Sequence, residues 1–257
     1  MTGKKGIEQS SITQEEISLF NDKEYVTERT HYELQETVEA KELIKSKARV
    51  QSHGEVFTPK WMVQKMLAEP TIQEKICDLH ATFLEPSAGE GAFLREIVHQ
   101  RLTYVDQSST KSTWIPKALW ALMSIYGIEL LPDNLIKARA AMMDVVINHY
   151  QTVMQKQLSS NTDFYKAAHY VIATNIVQGN TLEYTNNQGQ LIEFSHWWPV
   201  DDKKVQREVF TYKSLFADES ADETVGQLDL FDELLASEPT REYQVCDVTK
   251  VYKGELK

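Results

Sequence analysis

Cysteine is scarce: Cys77 and Cys246 are the only two in 257 residues. A disulfide framework and a cysteine-rich zinc site are thereby excluded, and reduced, structural thiols are the default. Long apolar runs are missing as well. No stretch approaches a membrane span, and Met1-Thr2-Gly3-Lys4-Lys5-Gly6 lacks the apolar segment of a signal peptide, so a cytoplasmic protein with no membrane association is expected. Positive charge is short, 27 lysines and arginines against 38 acids, for a net charge of −11. Non-specific DNA affinity comes mostly from lysine and arginine neutralising phosphates, so the chain alone should bind DNA poorly unless its bases are focused on one face or a partner carries the contacts. Finally, no two prolines are adjacent; the seven stand at 59, 70, 86, 116, 132, 199 and 239.

What is present centres on Phe83-Leu84-Glu85-Pro86-Ser87-Ala88-Gly89-Glu90-Gly91-Ala92-Phe93-Leu94, which reads as a short buried strand, a glycine-rich turn and a helix start. Gly89 and Gly91 permit positive φ and close approach of a ligand, and the helix beginning near Gly91 offers unpaired N–H groups. It is not the dinucleotide fingerprint. Leu94 fills the third glycine position of G-x-G-x-x-G, and Glu85 would repel a pyrophosphate; a cofactor with a cationic or amino-acid end fits better.

The length suffices for one sizeable α/β domain and an appendage. Residues 1–50 read as a polar arm, with a helix start at Ser11 to Ile17 and a charged stretch holding Lys41, Lys45, Lys47 and Arg49. A loop at 54–59 leads to a helix over 60–67, with Pro59 near its first turn. After the glycine turn, Phe93, Leu94, Ile97, Val98 and Leu102 mark the inner face of a helix ending near 102, followed by a polar loop over 104–114. An apolar segment, 118–123, then a strand, 124–130, end in Glu129, placed where a carboxylate can hold a ribose diol by two hydrogen bonds. Asp133 suits the cap of the next helix, which runs to about 157 with the core pair Met142 and Met143. A helix over 163–173, a strand over 175–177 and the turn Gln178-Gly179-Asn180 follow. Alternation over 190–198 and 205–212 predicts a β-hairpin with Trp197 and Trp198 in cross-strand packing, base stacking being the lesser alternative. Residues 217–257 read as an acidic linker and C-terminal tail. Asp218, Glu219, Asp222, Glu223, Asp229, Asp232, Glu233 and Glu238 surround an apolar stripe, Leu228 to Leu235, which is either solvated or a docking segment.

Four stretches occur in a telling order: Gly54-Glu55-Val56-Phe57-Thr58-Pro59, the glycine turn, Ile125-Tyr126-Gly127-Ile128-Glu129-Leu130-Leu131-Pro132-Asp133 and Asn175-Ile176-Val177-Gln178-Gly179-Asn180-Thr181-Leu182. Together they resemble the S-adenosylmethionine (SAM) motifs of γ-class adenine-N6 DNA methyltransferases of restriction–modification systems, across roughly residues 50 to 215. The resemblance implies an α/β fold, a Rossmann-like doubly wound sheet over residues 51–216, ending before its catalytic half. It implies SAM as cofactor, contacted by Phe57, Thr58, Pro59, Glu85, Pro86, Ala88, Gly89, Gly91, Phe93, Glu129, Leu130 and Asn180. Phe57 alternatively staples the following helix. The family usually has an acid at the position of Asn180, where asparagine keeps an acceptor oxygen for the adenine amino group.

The family's catalytic segment, Asn/Asp-Pro-Pro-Tyr/Phe, is absent. Trp197-Trp198-Pro199-Val200 supplies rings but no amide or carboxylate beside the proline, and His53, His80 and His196 are scattered. The implied function is therefore the SAM-binding subunit of a split adenine-specific DNA methyltransferase, with a partner subunit bringing the catalytic loop, target recognition and contact with DNA. The alternative is a non-catalytic scaffold or regulator.

Overall fold

The computed structural model describes residues 58–216 and 241–257. Phe57, His53, the basic stretch of the N-terminal arm and the acidic segment with its apolar stripe lie outside the described residues. Helices α1 (Lys60–Leu67) and α2 (Pro70–Cys77) come first; Pro70 occupies the first turn of α2 and Glu69 caps it through Thr71 N–H. Strand β1 (Phe83–Glu85), helices α3 (Ala92–Ser108) and α4 (Trp114–Met123), strand β2 (Ile125–Glu129), helices α5 (Pro132–Met154) and α6 (Asp163–Asn175) and strand β3 (Ile176–Gln178) follow. Then come the hairpin β4 (Glu193–Pro199) and β5 (Lys204–Thr211), a 3₁₀ turn (Tyr212–Phe216), the short strands β6 (Arg241–Glu242) and β7 (Cys246–Asp247), and a second 3₁₀ segment (Val248–Lys253).

Strands β1, β2 and β3 form a parallel sheet in that order, Phe83 beside Ile125 and Gly127 beside Ile176. Strand alternation divides the core. Ile125 and Ile176 join the cluster built by α3 to α6, with Leu94, Val98, Leu102, Met142, Met143 and Val171 fully buried. Tyr126 and Ile128 face the other way, into a second cluster with Ile192, Phe194, Phe210 and Tyr212 of the hairpin region. The fold is thus α/β, compatible with a Rossmann-like architecture. Among the described residues the helices pack on one face of the sheet and the antiparallel hairpin covers the other, so a sheet wound on both faces is met only in part.

Four local readings are corrected. The helix after the glycine turn does not end near 102, because Val105 continues its buried stripe and Asp106 is engaged by Trp114 Nε1 at 2.6 Å, which carries α3 to Ser108. Asp133 is not a cap: Leu131 is, Pro132 follows, and Asp133 sits inside the first turn, where its charge complements the helix dipole. Strand β1 is half-exposed rather than buried, while all five residues of β2 are buried. Residues 241–257 are not a tail. β6 and β7 pair with β5, Val248 and Val251 enter the main core, and Tyr252 Oη and Lys250 Nζ reach Asp163 at 2.5 and 2.8 Å.

The hairpin appears as expected, with Trp197 buried at 4 % exposure and therefore packed rather than free to stack on a base. The guanidinium of Arg207 locks it, donating to Ser195 Oγ at 2.7 Å and to Tyr170 Oη, and lying 4.2 Å from the centre of the Tyr243 ring.

Gly91 is where backbone conformation and packing coincide. Its φ is +85°, and a β-carbon there would stand 2.8 Å from Ala138 Cα of α5. Gly91→Ala is expected to destabilise the fold by about 2–4 kcal/mol, combining left-handed strain with overpacking between α3 and α5. Urea unfolding of the variant beside Gly89→Ala checks this, since Gly89 has positive φ without the clash and should lose less.

Candidate functional site

The carboxyl ends of the three parallel strands converge on Glu129. Its side chain is 6 % exposed, and Oε2 accepts a hydrogen bond from Gly89 N–H at 2.7 Å. Oε1 accepts from Leu131 N–H at 2.9 Å and from Asn134 Nδ2 at 3.4 Å, while the Glu129 carbonyl accepts from Gly179 N–H at 3.0 Å. One residue therefore joins the glycine turn after β1, the start of α5 and the turn after β3. Ala88 N–H donates to Ile128 O at 2.9 Å, hanging the same turn on β2.

The two glycines divide the work that sequence reading assigned to both. Gly89 has φ +55° and nothing within 4 Å of where a β-carbon would be, so its outer side is open. Gly91 is turned inward against α5, and its lack of a side chain serves packing rather than ligand approach. Glu90 is held by Lys137 Nζ of α5 at 3.2 Å, and Pro86 O accepts from Thr181 Oγ1 at 2.5 Å, which ties the β3 loop to the turn.

Glu85 ends β1, its carboxylate accepting from Ser87 N–H at 3.2 Å. Burial pushes its pKa above the ordinary 4.5, and the Ser87 hydrogen bond offsets only part of that. In the free protein a raised carboxyl pKa means that ionised Glu85 weakens the fold above its folded pKa, and the penalty disappears as pH falls below the ordinary value. Glu85→Gln is accordingly expected to raise the melting temperature at pH 7 by a few degrees and to flatten its rise on mild acidification; thermal melts at pH 7 and pH 5 check both.

Asn180 lies at the rim. Its Oδ1 accepts from Leu182 N–H at 3.0 Å and its own N–H donates to Thr185 O at 2.7 Å. Leu130 is 49 % exposed and its carbonyl accepts from Gln178 Nε2 at 3.2 Å; Leu182 is 88 % exposed. The structure thus brings Pro86, Ala88, Gly89, Glu129, Leu130 and Asn180 into one hydrogen-bonded neighbourhood at the strand ends. Glu85 enters it through the turn. Phe93 instead packs against the main core. Thr58 and Pro59 lead into α1, where Pro59 O accepts from Met62 and Val63 N–H, and no hydrogen bond among the described residues ties them to the cluster. Thr181 and Gln178, which brace the rim, escaped sequence reading because their bonds run to residues 95 and 48 positions away.

A second polar chain was also invisible in the sequence. Asp106 Oδ2 meets His149 Nδ1 at 2.6 Å, and His149 Nε2 meets His99 Nδ1 at 3.0 Å. Burial and the neighbouring His149 hold the His99 pKa below its ordinary value. His149 lies on α5 11 residues, about 16 Å along the helix, beyond Ala138, where Gly91 of the glycine turn packs, so this clamp between α3 and α5 is separate from the strand-end cluster. His80 and His196 pack with tilted rings against different tryptophans, Trp120 and Trp198. Among the described residues no group of three or more histidine, cysteine or acidic side chains is placed to hold a metal, and no helix is long and apolar enough to cross a membrane.

No family model, no curated protein and no solved structure matches the chain.

Proposed function

We propose that this chain is the SAM-binding subunit of a split adenine-N6 DNA methyltransferase of a restriction–modification or phage-defence system. A second subunit supplies the Asn-Pro-Pro-Tyr/Phe loop, target recognition and most DNA contacts. The observation that carries this reading is the Glu129 carboxylate bonded to Gly89 N–H at 2.7 Å across the ends of two parallel strands, beside an open glycine. Ligands of α/β sheets bind outside the carboxyl ends of the strands, and a buried acceptor there suits a sugar diol.

The residues fit SAM. Gly89 leaves room that a β-carbon would fill, Glu129 presents acceptors only, and Glu85 offers a carboxylate near the amino-acid end expected of the ligand. When bound, SAM supplies an activated methyl group on a sulfonium. The chain's own part is to accept from the ribose hydroxyls at Glu129, neutralise the ammonium at Glu85 and flank the adenine with Leu130 and Asn180. The charge balance agrees with a partner on the DNA, since the acids of 217–240 are uncompensated and account for most of the net −11.

One observation favours the scaffold alternative: Asn180 Oδ1 is already committed to Leu182 N–H, which leaves it a weaker acceptor for adenine. Calorimetric titration of the chain with SAM, alone and co-purified with a subunit bearing the Asn-Pro-Pro-Tyr/Phe loop, separates the two. Binding by either preparation, with methylation of adenine in duplex DNA by the pair, supports the split enzyme. Absence of SAM binding in both, with no methylation, assigns the scaffold.

A further inference from the structure

The parallel sheet has two edges, and they are finished differently. In a parallel ladder, alternate residues turn their N–H and C=O to opposite sides. Gly179 N–H bonds Glu129 O on the β2 side, so alternation turns the Ile176 carbonyl outward. There Arg139 of α5 donates to it from Nε at 2.9 Å and Nη2 at 2.7 Å, and Nη2 also reaches Ala173 O at 2.9 Å. A half-buried guanidinium thus plugs the β3 edge at Ile176, whose own N–H is taken by Ile172 O, and a charged side chain set against an edge hinders further pairing there.

The β1 edge has no such plug among the described residues. Phe83 N–H donates to Ser124 O at 2.9 Å on the β2 side, which turns Leu84 N–H and C=O outward. Both faces of this strand are half-finished. Phe83 is only partly covered by the helix cluster and Leu84 only partly by the hairpin cluster. Strands of parallel sheets are ordinarily buried on both faces, as β2 is. The glycine turn also sits at the end of this edge strand. In open α/β sheets the ligand crevice forms where strand order reverses, with strands on both sides of it. Here the order runs β1-β2-β3 in one direction, so a reversal can only lie beyond β1.

We infer that the outer edge of β1 receives a β-strand from a second polypeptide, laid parallel to β1 and completing the crevice beside Gly89. The inference rests on the split-enzyme reading and names the surface that joins its halves. The occupant is a partner of net positive charge. Two copies of a chain with net charge −11 repel, and the bases needed for DNA must come from the added chain.

The test uses the full chain, wild type and Leu84→Pro, with a subunit bearing the Asn-Pro-Pro-Tyr/Phe loop as probe. Proline removes the outward N–H, a change tolerated on an edge strand. The expected result is association weakened at least 100-fold for Leu84→Pro, with calorimetric SAM affinity of the chain within twofold of wild type. Hydrogen exchange at the Leu84 amide of the wild type is read in parallel, so the test survives a variant that misfolds. Expected is fast exchange in the isolated chain and strong protection in the pair. Protection in the isolated chain at every concentration would put one of its own segments on the edge, and protection that grows with concentration would put a second copy there; either overturns the inference. Normal association of Leu84→Pro, or fast exchange persisting in the pair, overturns it while leaving the enzymatic reading intact. Loss of SAM binding and methylation in the wild-type pair, with Leu84 protected, would sink the enzymatic reading and leave the strand addition standing.

Discussion

Glu129→Ala is expected to weaken SAM binding by at least 100-fold and to cost the free fold about 2–4 kcal/mol. The two losses have different origins. In the free protein the carboxylate is a latch: its oxygens satisfy Gly89 N–H and Leu131 N–H, and a buried amide left without a partner costs roughly 1–3 kcal/mol. A diol ligand would take the remaining lone pair of Oε2 and displace the long 3.4 Å contact of Asn134 Nδ2 from Oε1, and loss of charge-assisted bonds to two hydroxyls accounts for about 2.7 kcal/mol or more, the equivalent of that 100-fold. Glu129→Gln separates the roles. It is nearly isosteric and keeps one acceptor oxygen, but its NH₂ group must face either Gly89 N–H or Leu131 N–H, donor against donor. About half the stability loss is expected. Ligand affinity should fall nearly as far as in the alanine variant, because the amide offers one acceptor where the diol needs two. Urea unfolding and calorimetry on both variants give the comparison. If affinity falls only in proportion to the folded fraction, Glu129 is a latch alone and the ribose assignment is wrong.

The latch also shows what sequence reading could reach. The strand, glycine turn and helix over 83–94 were legible because glycine spacing and apolar periodicity are local properties, and the hairpin was legible because alternation with a polar loop is local too. The end of α3 was misread because Val105 and Asp106 sit in a polar run; their roles come from the buried helix face and from Trp114 in the next helix. Gly89 and Gly91 look alike in the sequence, and only Ala138, 47 residues beyond Gly91, distinguishes the open glycine from the packed one. Arg139 resembles any solvated base on a long helix until β3 delivers the Ile176 carbonyl to it. The return of 241–257 to β5 spans an intervening acidic segment and left no local mark except Val248 and Val251 at i and i+3. What escaped reading is long-range polar pairing, which depends on where the chain returns rather than on how neighbouring residues alternate.

Arg101 belongs to the same hidden class and should give the largest loss of stability of any single substitution proposed. It is fully buried, and burial pulls its pKa down to about 9, still leaving it charged at neutral pH. Nη1 donates to Ala121 O at 3.2 Å and to Ser124 Oγ; Nη2 donates to Lys75 O at 3.3 Å, Asp78 O at 3.0 Å and Ala81 O. The guanidinium also lies 4.8 Å from the centre of the Phe83 ring. It therefore gathers the end of α2, the loop into β1 and the end of α4 around one charge. An apolar replacement of similar volume often costs little when both partners of a buried ion pair are removed, but here the partners are backbone carbonyls that stay behind. Arg101→Leu is thus expected to destabilise by about 3–5 kcal/mol, from carbonyls buried without donors. Arg101→Lys should recover only part of that, since three donors on one ammonium cannot span a set arranged for a planar fork. Urea unfolding gives the magnitudes, and hydrogen exchange locates the damage. The loop feeding β1 should open first, with Phe83 losing protection before residues of β2, because β1 has only β2 beside it among the described residues while β2 is flanked on both sides. Uniform loss of protection across the sheet would mean that Arg101 supports the whole core rather than the strand that carries the glycine turn.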